Sequence, residues 1–151
     1  MYKRQYTTDA SGLSSTRAAA SNPDKWVVLP EIISKEPLGP LVRHGDHQWG
    51  DVVRWSLNAM IIAEELGITS ENVDAQMSSN VPEVLRLLGV EGNYGEMLEL
   101  SNDWAYQIIK QIGNYSESYE ANVGPDTPLE IARGLNALWT QGGILYAPPF
   151  R

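Results

Sequence analysis

The sequence has no cysteine, which excludes a disulfide framework, thiol catalysis and a cysteine-based zinc site, and leaves the redox compartment unreadable from cysteine pairing. Basic residues are scarce: 11 Lys and Arg stand against 19 Asp and Glu, for a net charge of −8. That balance argues against nucleic acid or an anionic membrane surface as a partner, because both are bound by neutralising phosphate with Lys and Arg. No apolar run approaches the roughly 20 residues that a membrane span needs. Met1–Gln5 lacks the apolar core of a signal peptide. Two common catalytic signatures are also missing. Ser11-Gly12 has no flanking glycine pattern for a nucleophile elbow, and Gly92-Asn93-Tyr94-Gly95 has neither the Lys nor the preceding strand of a phosphate loop. Internal repeats and low-complexity tracts are absent.

What remains is a chain of 151 residues, 42% hydrophobic and 20% charged, a composition fit for one soluble globular domain with its own core. It is organised around Glu36–Gly67. Pro37, Gly39 and Pro40 hold the start extended, and Leu41-Val42 reads as a short apolar strand. Arg43-His44-Gly45-Asp46 makes a turn in which Asp46 caps a long helix. From Trp49, apolar residues at Val52, Val53, Leu57, Met60, Ile61 and Leu66 predict one face against a core, with Gly67 as the stop.

Before that helix, Met1–Gln5 leads abruptly into what reads as the end of a strand, so the expectation is a non-native start at residues 1–5 with the natural N-terminus missing. Tyr6–Asp9 is extended, and Ser11–Ala20 has the small residues of a short helix. Asn22-Pro23-Asp24 is a turn, Lys25–Leu29 a strand, and Pro30–Lys35 an extended connector suited to a hinge. After it, short helices are predicted from Thr69 or Ser70 to Met77 and over Pro82–Leu88, ending at Gly89. A longer one runs over Asn102–Ile112, capped by Ser101, followed by another turn or two over Tyr115–Val123. Thr127-Pro128-Leu129-Glu130 carries the strongest local helix signal, a capping box with proline at the first position, and predicts a helix that continues past Trp139 to Gly142-Gly143. Trp49, Trp55, Trp104 and Trp139 fall on helical faces and are expected to pack.

Chemistry-bearing candidates are few. Asp9 stands where a strand gives way to a helix, at the kind of strand end that faces the ligand crevice in open α/β sheets; it equally suits the helix cap. His44, Asp46 and His47 flank a glycine turn without a third ligand, so no metal site is expected. Asn114-Tyr115-Ser116 matches a glycosylation acceptor.

Several blocks, in order, carry a resemblance: Tyr6-Thr7-Thr8-Asp9-Ala10-Ser11-Gly12-Leu13, LPEIISKEPLGPLVRHGDHQW, AEELGITSENVD, LSNDWAYQIIKQIGNY, NVGPDTPLEIARGLNALW and GGILYAPP. The chain resembles the C-terminal part of general L-amino-acid-binding proteins, the extracytoplasmic receptors of amino-acid ABC transporters in solute-binding family 3. The resemblance implies an α/β, periplasmic-binding-protein-like two-lobed fold, here truncated and mostly helical with a few short strands. Residues 6–29 would be the remnant of the second lobe, 30–35 the hinge strand, and 36–151 the C-terminal half of the first lobe with a helical extension. It further implies a periplasmic, monomeric receptor without cofactor or catalysis that takes an L-amino acid to a membrane permease. Asp9 falls where such receptors place the acid that holds the ligand's α-ammonium group, and Thr8 would add a hydroxyl. The family's carboxylate-binding Arg and aromatic pocket residues lie upstream, so no position here inherits them. Two other classes compete: an enzyme on a related two-lobed fold, for which Asp9 has no adjacent base or nucleophile, and a stand-alone helical interaction module.

Overall fold

The computed structural model describes residues 5–34 and 36–151. Met1–Arg4, within the expected non-native start, and Lys35, the end of the expected hinge, lie outside the described residues. Among those described, the elements are helices: α1 (Ala10–Ala18), α2 (His47–Glu65), α3 (Val73–Gln76), α4 (Pro82–Leu87), α5 (Tyr94–Met97), α6 (Trp104–Ile112) and α7 (Tyr115–Asn122), with short 3₁₀ turns at Pro23–Lys25, Gly134–Asn136 and Trp139–Gln141. The helical character expected of the chain is present, but the few short strands are not. The one pairing among the described residues is an isolated parallel bridge between Leu138 and Leu145. Trp26–Leu29 and Leu41-Val42 form no ladder among the described residues, because a strand needs a second strand for its N–H and C=O groups. Lys25 belongs to the 3₁₀ turn instead, and the Trp26 N–H donates to the Pro23 carbonyl at 3.0 Å.

The chain divides into two compact units, Met1–Gly39 with Tyr119–Arg133, and Pro40–Ser118 with Gly134–Arg151. The second contains the core. Its longest helix, α2, starts as its sequence dictates: Asp46 Oδ1 accepts from the Trp49 N–H at 3.1 Å, satisfying one of the orphan donors of the first turn. It stops at Gly67, whose φ of +67° lets the Ile68 N–H reach back to the Ala63 carbonyl at 2.8 Å. The buried stripe of α2 is Ala59, Ile61, Ile62 and Ala63, nearer its C-terminus than the spacing predicted; Leu57 and Trp49 remain exposed.

Helix α6 buries Trp104, Ala105 and Ile109 and packs on both α2 and α3. Val84, Leu87 and Leu88 join from α4, and Ile68, Val73, Leu98, Leu138, Ala147 and Phe150 complete the cluster. Gly89 is required here for two reasons: its φ is +74°, and a Cβ would lie 1.9 Å from the Asn102 carbonyl oxygen. Polar clamps tie the short helices down. The Asp74 carboxylate on α3 accepts from Tyr106 Oη at 2.9 Å and Lys110 Nζ at 2.6 Å, both on α6. At the start of α7, Asn114 Oδ1 accepts from the Glu117 N–H at 3.0 Å while the Glu117 carboxylate accepts from the Asn114 N–H at 2.8 Å, a reciprocal capping box. Asn114 is buried, and its Nδ2 donates to the Ile68 carbonyl at 2.8 Å.

The capping box predicted at Thr127–Glu130 does not start a helix. Thr127 Oγ1 does accept from the Leu129 N–H at 3.2 Å, but Glu130 turns to φ +53° and the Ile131 N–H donates to the Val123 carbonyl at 3.0 Å. Tyr119 Oη binds the Ala132 carbonyl at 3.2 Å, and the Glu130 carboxylate pairs with Arg17 at 3.1 Å rather than folding back on the cap. Hydrogen bonds to partners distant in sequence outcompete the local propensity.

Candidate functional site

The site residues foreseen in the sequence lie in the first unit. Tyr6, Thr7 and Thr8 lead, without helix or strand, into Asp9, whose φ and ψ of −60° and 163° are those of a residue outside the helix it caps. The Leu13 N–H then closes the first turn of α1 on the Asp9 carbonyl at 3.0 Å. The Asp9 carboxylate gathers three donors, each from a residue no more than three positions away. Oδ1 accepts from Ser11 Oγ and from the Gly12 N–H at 2.9 Å, and Oδ2 accepts from Thr8 Oγ1 at 3.1 Å.

Hydrogen bonds to the charged form favour it. Led by the Ser11 hydroxyl and then the Gly12 N–H, they lower the Asp9 carboxyl from 3.8 to about 2, so the group is anionic at every physiological pH. The side chain is only partly covered and stays open to a solute. Thr8 gives its hydroxyl proton to Asp9, which leaves the oxygen's lone pairs as acceptors. Asp9 is therefore the cap of α1, and its carboxylate presents a fixed negative charge beside a hydroxyl acceptor. Farther along α1, Thr16 Oγ1 donates to the Gly12 carbonyl at 2.8 Å, and Arg17 makes the ion pair with Glu130.

His44, Asp46 and His47 sit in the turn and first residue of α2, with Asp46 engaged as the cap. Among the described residues no group of three His, Cys, Asp or Glu is arranged to hold a metal ion. The tryptophans split: Trp104 is buried and Trp55 packs against the core, whereas Trp49 and Trp139 are 56% and 51% exposed, against the expectation of packing for all four. Nothing in the sequence signals the role of Phe150. Its ring lies 5.2 Å from that of Trp55, 5.6 Å from Tyr94 and 5.9 Å from Trp104, beside a cavity of about 280 Å³ in the second unit. The only signal available was that it is the single Phe of the chain.

This backbone is that of a periplasmic-binding-protein segment. It matches the solved structure of an ABC transporter periplasmic binding protein from Brucella ovis with glutathione bound, with a TM-score of 0.92 and 53% identity, over 95% of this chain and 46% of that one. Among characterised sequences, it is 58% identical over 147 residues to the glutamate/glutamine/aspartate/asparagine-binding protein BztA of Rhodobacter capsulatus, covering 97% of this chain and 44% of that protein. The general L-amino acid-binding periplasmic protein AapJ of Rhizobium johnstonii is 57% identical over 148 residues, covering 97% and 43%. The putative amino-acid ABC transporter-binding protein YhdW of Escherichia coli is 57% identical over 145 residues, covering 95% and 42%. No family model matches the chain. The chain belongs with these amino-acid ABC transporter binding proteins, and it spans less than half the length of the relatives it matches.

Proposed function

We propose that the full-length protein containing this segment is a periplasmic solute receptor that binds L-amino acids and delivers them, without catalysis, to the permease of an ABC transporter. Asp9 is the observation that carries this assignment. A carboxylate held ionised at the end of an extended segment, open to solute and backed by a hydroxyl, suits the α-ammonium group of an amino acid through a charge-assisted hydrogen bond. Thr8 adds an acceptor beside it. Glutathione, bound in the Brucella protein, carries the same α-ammonium and α-carboxylate pair at its γ-glutamyl end and is therefore a candidate ligand alongside free amino acids. In the two-lobed receptor, residues 6–29 belong to the second lobe, 30–35 form the hinge and 36–151 complete the first. The lobes close on the ligand as a monomer and present the closed form to the permease.

The test is a calorimetric titration of the full-length receptor with a panel of L-amino acids and glutathione, beside Asp9→Asn. Asn caps a helix about as well as Asp, so this substitution removes the charge and keeps the cap. The expected result is saturable binding that the substitution weakens about 10- to 100-fold, the loss of one charge-assisted hydrogen bond, together with a smaller radius of gyration at saturation. Equal affinity in the variant would reduce Asp9 to a cap. A receptor that binds none of the panel, or turns one of them over, would overturn the transport assignment.

A further inference from the structure

Within the assignment of Asp9 to the ligand's ammonium group, we propose that Ser11 is a positioning residue of the binding site. Its hydroxyl, with the Gly12 N–H, fixes Oδ1 of Asp9 on the helix side and leaves Oδ2 as the oxygen that receives the ligand.

The lone pairs of the carboxylate divide accordingly. A carboxylate oxygen offers about two acceptor positions. Ser11 Oγ and the Gly12 N–H at 2.9 Å take both positions on Oδ1. Oδ2 has one donor, Thr8 Oγ1 at 3.1 Å, and therefore one position left for an incoming N–H. The terminal torsion of an Asp side chain is broad and nearly two-fold. A single N–H would leave it free to swing, whereas two donors from successive residues of the same turn fix its plane.

Gly12 completes the seat by having no side chain. A Cβ there would lie 2.7 Å from Thr8 Cγ2 and 3.1 Å from Asp9 Oδ2, forcing apart the two groups that face the solute. Ser11 is also the leading cause of the lowered Asp9 carboxyl, so the same contact that orients the group keeps it charged as the medium becomes acidic.

Ser11 therefore has two separable effects. At neutral pH, Asp9 is ionised with or without the hydroxyl, and loss of Ser11 acts through orientation alone. In acid, loss of the hydroxyl raises the Asp9 carboxyl toward the ordinary value of about 3.9, and protonation then removes the ligand's acceptor.

The experiment compares Ser11→Ala and Ser11→Thr with the unsubstituted full-length receptor, using calorimetric titration with L-glutamine at pH 7 and pH 3.5. L-glutamine has a side chain that does not titrate between those values. We expect Ser11→Ala to weaken binding at pH 7 and by up to a further threefold at pH 3.5, where a carboxyl near 3.9 is only about 30% ionised. Ser11→Thr, which keeps the hydroxyl, restores both. A merely structural role in α1 would lower the melting temperature, and the loss of affinity would not depend on pH. Equal affinity of Ser11→Ala and the parent at both pH values overturns the proposal, as does a Ser11→Thr variant that behaves like Ser11→Ala. Asp9→Asn in parallel separates the two levels: if it binds L-glutamine like the parent, the Asp9 assignment itself fails. If it loses affinity while Ser11→Ala does not, only the role of Ser11 fails.

Discussion

The two units of this chain are held together by different physics. Every buried apolar side chain among the described residues belongs to the unit of Pro40–Ser118 and Gly134–Arg151. The other unit has none. Several of its large apolar side chains, among them Trp26, Val27, Leu29, Ile32 and Ile33, are exposed, while Leu13, Val123, Leu129 and Ile131 are half-buried, and among the described residues it is tied by hydrogen bonds and an ion pair: the Asp9 cluster, Tyr119 to Ala132, Val123 to Ile131, and Arg17 to Glu130. Hydrophobic burial is the dominant favourable term in folding, so stability is concentrated in one unit while the candidate ligand group sits in the other. The residues that hold the chain folded and those that would hold a solute are therefore separate sets.

The largest expected effect tests the core. Ile109 on α6 is fully buried, and Ile109→Ala should lower the free energy of unfolding by about 2–5 kcal/mol, read from urea denaturation followed by tryptophan fluorescence. A loss under about 1 kcal/mol would mean that α6 is not the centre of the cooperative unit. Next comes the buried polar junction of the same unit. Asn114→Ala leaves the Ile68 carbonyl and the Glu117 N–H without their partner, and about 1–3 kcal/mol should be lost in the same assay. The smallest effect is expected in the other unit. Ile33 is 81% exposed, so Ile33→Ser should change the unfolding free energy of this chain by no more than about 0.5 kcal/mol. A much larger cost in the full-length receptor would show that another part of the protein covers this segment there, and would sharpen the contrast into a statement about the isolated segment alone.

Much of the helical scaffold was legible because its signals are local. Asp46 and Gly67 bound α2 as expected, Pro82 opens α4, and Gly113 ends α6, each through a group that satisfies or stops a backbone ladder within one turn. The two capping boxes show where that logic stops. Thr127–Glu130 has the better sequence and makes no helix, because Val123, Tyr119 and Arg17 draw its backbone and side chains elsewhere. Asn114-Tyr115-Ser116 reads as a glycosylation acceptor, yet Asn114 with Glu117 caps α7 reciprocally. The strands read at Lys25–Leu29 and Leu41-Val42 are not formed among the described residues, because pairing is a property of two segments and cannot be read from one. In the candidate site, the cap at Asp9 was visible from its place just before a helix. Ser11 was not, since a serine in a first helical turn is unremarkable until its hydroxyl is seen on the carboxylate.

The exposed apolar run from Trp26 to Ile33, bent at Pro30, has a consequence for how this chain keeps company with its own copies. Unpaired backbone flanked by apolar side chains is a template for edge-to-edge aggregation. Pro30 divides that run into two short pieces, Trp26–Leu29 and Ile32-Ile33, and offers no N–H to an incoming strand; Glu31 adds a negative charge beside it. A copy that began to zip along Trp26–Leu29 would meet this gatekeeper pair after four residues, so the proline limits how far a misdirected pairing can grow.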